Sequence, residues 1–216
     1  MSSSNESIGV RSGSLQLKLI LLSILVAMVP LFFVSRALFV ALAQTSDEVQ
    51  KQIVRVNYPN EPLQIVGLRN SQKALTINEK FRQERDWLQR LTVRFKNNTG
   101  KAITYLAWSL DFPETQASGP LMVFDVFYGA HPIRQAKEYK DEPPIAAGEL
   151  FEQHLDGKRV DQISNFIGKR HRLDTLTRVN IRILEIRYDD GTGWNSGTFT
   201  KEDLHNPGRF IPVKPV

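Results

Sequence analysis

The chain contains no cysteine. That excludes disulfides, thiolate zinc sites, a cysteine nucleophile and a bacterial lipid-anchor cysteine, so its core must supply the stability. It also has no block of five or six like charges: 28 basic residues are scattered among 23 acids in 216 residues. No RNP-type, zinc-finger or helix-turn-helix signature accompanies the net charge of +5, and nucleic acid is not an expected partner. The densest basic patch, Gly168 to Arg172, reads as a solvated helix end. HExxH, GxSxG and SxxK patterns are missing, and His131, His154, His171 and His205 lie apart without paired spacing. The sequence therefore gives no catalytic group, no cofactor and no metal. No internal repeat is evident, and the 41% hydrophobic and 24% charged fractions suit one ordinary globular domain with terminal segments.

What is present starts with an apolar run from Leu19 to Val34 after a polar leader carrying Arg11 and Lys18. Those residues span about 24 Å as a helix, short of the roughly 30 Å hydrocarbon core. Ala41-Leu42-Ala43 before Gln44 is the small-x-small pattern that a signal peptidase reads. The alternative is an uncleaved inner-membrane anchor over residues 19–42, with Arg36 snorkelling outward. Both readings place the rest of the chain outside the cytoplasm, periplasmic or secreted, and touch the membrane only through this segment. The expected division is a signal peptide or signal-anchor over 1–43, a polar leading segment over 44–60, a sandwich domain over 61–200 and a Pro-rich tail over 201–216.

Beyond residue 60 the pattern is β. LTVRFKNNTGKAITYLAWSLDFPET, residues 91–115, reads as an antiparallel hairpin around Asn97 to Gly100. LMVFDVFYG, residues 121–129, is apolar on both faces apart from Asp125 and reads as a central strand. Val160, Ile163, Phe166 and Ile167 lie at helical spacing. In TRVNIRILEIRYDDG the apolar parity switches at Ile183–Leu184, which predicts a β-bulge or a strand buried on both faces. Residues 79–90 read as an irregular connection with Trp87 in the core. These elements predict an all-β, immunoglobulin-like antiparallel β-sandwich with one short helix, of open topology because the Cys–Trp–Cys hallmark is absent.

The segments Asn97 to Lys101, Asp111 to Thr115 and Asp189 to Trp194 carry a resemblance. Over residues 60–200 the chain resembles a group of exported bacterial proteins without an assigned activity, each a signal peptide followed by one β-sandwich. The resemblance implies fold and export, and no chemistry.

Five residues are candidates for binding. Asp189 and Asp190 lie in an Asp-Asp-Gly-Thr-Gly stretch that suits a tight type I′ turn better than a calcium loop, lacking the alternating acids and distal Glu. Asp111 and Glu114 flank Pro113 and form a carboxylate pair of the kind a glycosidase needs across a cleft. Trp194, in a hairpin beside Gly193 and Asn195, is a candidate exposed platform, whereas the parity of Trp108 places it in the core. The functional expectation is a non-catalytic protein binding an envelope or extracellular macromolecule through loops or an open sheet edge. The alternatives are a hydrolase of an envelope polymer built on Asp111, Glu114 or Asp189, and a membrane-tethered structural subunit.

Overall fold

A computed structural model describes residues 48–130 and 142–213. The leader, the anchor, the cleavage residues Ala41, Ala43 and Gln44, and most of the charged loop from His131 to Pro144 lie outside the described residues. Among the described residues, twelve strands form two sheets, and there is one α-helix. The strands are β1 Val49–Arg55, β2 Leu63–Asn70, β3 Lys73–Leu75, β4 Lys80–Gln83, β5 Leu91–Asn97, β6 Ile103–Phe112, β7 Met122–Gly129, β8 Leu150–His154, β9 Arg178–Tyr188, β10 Thr192–Asn195, β11 Thr198–Glu202 and β12 Phe210–Pro212. The helix α1 is Gly157–His171. Sheets therefore begin and end outside residues 61–200: β1 comes from the polar leading segment and β12 from the tail.

The smaller sheet runs β3-β2-β5-β8. In the larger, β9 pairs with β6 along one edge, and β6 pairs with β7. The other edge of β9 is divided. Its first half takes β1 in parallel, and its last residues take β10 antiparallel, followed by β11 and β12. The switch at Ile183–Leu184 is a bulge: Trp108 faces Ile183 and Ala107 faces Glu185, leaving Leu184 extra. The bulge lets Ile181, Ile183, Ile186 and Tyr188 all turn inward despite broken alternation.

The NNTG segment is not a hairpin turn. β5 and β6 belong to different sheets, and the connection crosses from one layer to the other. Alternating hydrophobicity cannot separate these cases, because two strands facing each other across a core alternate as two neighbours in a sheet do. The packing shows the facing arrangement: the rings of Phe95 and Trp108 meet edge-to-face at 5.6 Å. None of residues 97–100 adopts positive φ. The buried Asn97 side chain shapes the crossing instead. Its Nδ2 donates to the carbonyls of Lys101, Ile145 and Ala146, and its Oδ1 accepts from Thr99 N–H and Oγ1. A glycan acceptor would need that nitrogen free, so the Asn-Asn-Thr sequon serves as a turn.

Two other expectations change. β7 pairs with β6 alone among the described strands, so it is an edge strand, with Val123 44% exposed on its open side. Its second apolar face is partly covered by ring stacking of Phe127 on Tyr105, which made it look central in sequence. Residues 80–83, read as irregular, pair with β1. The remainder agrees: Trp87 is buried above a short 3-10 turn, Trp87–Arg90, and its indole N–H donates to Leu176 O at 3.0 Å. α1 is capped by Asp156, whose carboxylate accepts from Lys158 and Arg159 N–H, and it buries Val160 and Ile167 while Phe166 stays half-exposed. Of the basic patch ending α1, Lys169, Arg170 and Arg172 are exposed, whereas His171 is buried with Nδ1 2.8 Å from Ser118 Oγ. Among the described residues no helix is long and apolar enough to cross a membrane.

A cleft between two loops

The divided edge of β9 creates the region of interest. Between the end of β1 and the start of β10, β9 has backbone groups with no strand opposite. Val56 N–H reaches Ile181 O at 2.9 Å and Ser196 N–H reaches Leu184 O at 2.9 Å. The Ile183 N–H between them is met by the carboxylate of Glu61. Glu61 also binds Arg55, which donates at 3.4 Å to Ile181 O. Side-chain exposure is only 9% for Arg55 and 11% for Glu61. Burial pushes the Glu61 carboxyl up against the opposing pull of Arg55, and it pushes Arg55 down. One oxygen, Glu61 Oε1, is buried without a hydrogen-bond partner.

Beside Glu61, the 97–101 connection and the 189–191 turn lie against each other. Lys101 Nζ sits 2.7 Å from Asp190 Oδ2 and 2.8 Å from Thr192 Oγ1, and 5.5 Å from the centre of the Tyr188 ring. Asp190 Oδ1 accepts from Thr192 N–H at 2.9 Å and from its hydroxyl at 2.6 Å. Burial and the neighbouring Asp190 charge raise the Tyr188 hydroxyl, opposed by a hydrogen bond with Thr99. The turn is not type I′: only Gly191 has positive φ, and Gly191 N–H bonds Tyr188 O, so it is a three-residue loop closed by a left-handed glycine. The paired positive φ values belong to Ser196 and Gly197, between β10 and β11.

Beside the 97–101 connection, against residues 60–62, the end of β9, the start of β10 and β11, opens a cleft of about 780 Å³. Pro62, Tyr188, Phe199 and Val213 supply apolar lining, with Asn98, Thr99, Thr192 and Glu61 among the polar groups. Gly193 is fixed by its neighbour: a Cβ there would stand 2.7 Å from Arg187 Nη1 and 2.6 Å from Ile186 O. Arg187 passes over that bare backbone to donate to Thr200 Oγ1 at 2.7 Å and to lie 3.5 Å from the Phe210 ring centre. A glycine thus lets β12 be clamped onto the sheet beside the cleft.

The candidates from sequence separate into two groups. Asp190 lines up the two loops, with Asp189 exposed beside it and its N–H bonded to Ala102 O. Asp111 and Glu114 do not converge. Asp111, 1% exposed, is paired with Arg182 through Nε at 2.6 Å and accepts from Ser109 Oγ. Glu114 accepts from the N–H and hydroxyl of Thr177 and lies near the buried Lys51. Trp194 is no platform: it is fully buried, packed edge-to-face on Tyr58, with its N–H donating to Pro59 O at 3.3 Å. Its partners come from residues 58–59, outside the hairpin, which the hairpin's own sequence does not show. Among the described residues no three His, Cys, Asp or Glu side chains are placed to hold a metal ion. Glu61, Tyr188 and Phe199 went unread as site residues.

Family models, curated proteins and solved structures were all compared with this chain, and none matches it.

The Asp190 pairing gives a pH prediction. Hydrogen bonds from Lys101 and Thr192 hold its carboxyl down at about 2, below the roughly 3.9 of an unfolded aspartate. Its contribution to stability is therefore present above about pH 4 and lost as pH falls toward 2. Carboxyl-carbon NMR titration should place the Asp190 midpoint near 2, and Lys101→Met should move it up toward the ordinary aspartate range. An unchanged midpoint in that variant would remove Lys101 as the cause.

Proposed function

We propose that this chain is an exported, non-catalytic binding module with an immunoglobulin-like fold, which holds part of an envelope or extracellular macromolecule in the cleft between the 97–101 and 189–192 loops. The strand order supports the fold. β2-β5-β8 matches the order of strands A, B and E in such domains, and β6-β9-β10 matches C, F and G. With that correspondence the two loops are the B–C and F–G loops, which share one end of the sandwich and carry ligand contacts in variable domains. The observation carrying the proposal is the cleft itself, braced by the Lys101–Asp190 pair and walled by the 97–101 connection and the start of β10. A braced, concave, partly apolar site suits binding with little ordering cost. The carboxylates that would serve hydrolysis are held by Arg182 and Thr177 instead, which favours binding over the hydrolase alternative.

The test uses the full-length chain, immobilised and exposed to purified envelope fractions. Wild type should retain a component that Asn98→Trp, an exposed rim substitution filling the cleft mouth, fails to retain. Retention that is absent, or equal in both proteins, would overturn the assignment.

A further inference from the structure

The end of the sandwich opposite the cleft is closed by α1. The helix follows β8 and leads into β9, crossing from one sheet to the other. Just before it, Leu155 N–H bonds Leu91 O at 3.1 Å, where β5 begins; at its last residue, His171 Nδ1 lies 2.8 Å from Ser118 Oγ, beyond the end of β6. One side of α1 faces the core and the other faces out from this end. We infer that the outer side rests on an anionic phospholipid bilayer, the one that holds residues 19–42 on the anchored reading of the leading segment.

The outer side is cationic around an exposed aromatic ring. Lys158, Arg159, Gln162, Phe166, Lys169 and Arg170 are exposed, and at about 100° per residue they fall within an arc of about 120°. Phe166 is 49% exposed among them. Residues 157–172 hold five basic residues and one acid, so this one element accounts for most of the chain's net charge of +5. The acid, Asp161, accepts from Gln89 and borders the groove beside α1 instead of this face. Among the described residues none of the five basic side chains forms an ion pair; Arg159 and Arg170 lie over the rings of Phe124 and Phe166. Lipid phosphates would meet the cations while Phe166 enters the boundary between headgroups and acyl chains. A soluble acidic polymer would use the cations alone and leave the ring in water.

The chain enters the domain at this same end. β1 runs parallel to β9 with Gln52 opposite Arg178, and Gln52 N–H bonds Thr177 O at 2.8 Å, a few residues past α1. Only residues 43–47 lie between the apolar segment and Glu48, about 20 Å at full extension. A bilayer holding that segment has this end of the sandwich beside it, and α1 is the surface the end offers. The membrane contact expected of the leading segment alone then extends to the folded domain. The arrangement also sets the cleft off from the lipid: β9 runs eleven residues, from Arg178 beside α1 to Tyr188 in the cleft wall, about 33 Å of strand.

The experiment uses the absence of cysteine. Gln162→Cys, at the middle of the outer side, takes a single environment-sensitive fluorophore, and Lys201→Cys, exposed at the cleft end, is the control. The full-length chain is reconstituted in phosphatidylglycerol nanodiscs and in phosphatidylcholine nanodiscs. The Gln162 label should shift to the blue in phosphatidylglycerol alone, and the Lys201 label in neither. Salt at about 1 M, where the Debye length is about 3 Å, should reverse the shift. Lys158→Gln, Lys169→Gln and Arg170→Gln together should lower the docked-to-free ratio by about fivefold for each charge removed, with the melting temperature confirming that the variant is folded. Equal emission in the two lipids, an equal shift of the Lys201 label, or a shift unaffected by the triple substitution would overturn the inference. So would a shift of the Gln162 label on adding polyglutamate to phosphatidylcholine discs with none in phosphatidylglycerol, which would give the face to a soluble acidic polymer.

Discussion

Replacing Glu61 by alanine should destabilise the fold by about 3–5 kcal/mol, because it leaves the buried Arg55 guanidinium without its counter-charge. It also uncovers the Ile183 N–H in the gap of β9, a backbone donor with no strand opposite. Replacing Arg55 by methionine and Glu61 by leucine together should recover most of the loss, since two desolvated charges then become apolar contact. The recovery should be incomplete by roughly 1–3 kcal/mol, the cost of the unmet N–H. Urea unfolding of wild type, Arg55→Met, Glu61→Leu and the double variant forms the cycle that measures this. Losses that simply added in the double variant would show that the pair is not coupled, and the account of the gap would fall.

Trp108→Ala should also cost about 3–5 kcal/mol, through the lost burial of a large ring and the cavity left behind. Trp108 is fully buried between the sheets, edge-to-face with Phe95. Its indole N–H donates at 2.5 Å to Gln153 Oε1, and Gln153 Nε2 donates at 3.1 Å to the Phe127 carbonyl of the edge strand β7. One ring thus fills the core and, through Gln153, ties the edges β7 and β8 together. Trp108→Phe separates the two roles. It keeps most of the volume and orphans Gln153, so it should cost about 1–3 kcal/mol. For a domain of this size each kcal/mol lowers the melting temperature by about 2–4 °C, so calorimetry resolves alanine from phenylalanine. Equal losses for the two would assign the whole effect to the hydrogen bond.

Local chemistry was readable from sequence, and partner choice was not. Parity marked the bulge at Leu184 because the defect lies within one strand. Apolar spacing marked the helix, and the core positions of Trp87 and Trp108 followed from their neighbours in the chain. The hairpin at residues 91–112 failed because alternation shows which side chains are buried together, without saying whether their strands are bonded or opposed. β7 read as central because the stacking of Phe127 on Tyr105 covers a face that has no further strand beside it. In the candidate site, Asp190 was legible as a turn residue, yet Lys101, its partner, lies 89 positions earlier. Glu61 stands between two prolines with no motif around it. Its role comes from the gap between β1 and β10, which exists only once three distant segments share β9.

That shared strand also sets how the molecule answers a pull. β1 leaves the sheet near one end of β9, and the β10–β12 ribbon leaves near the other. Tension applied before Val49 and after Pro212 therefore runs along β9. It stretches the parallel β1–β9 bonds lengthwise and all at once, the geometry in which a strand slides under high force instead of peeling open rung by rung. The three-residue β12 runs antiparallel to β9, so the same pull peels it from its Pro212 end and draws Val213 out of the cleft wall before β1 slides.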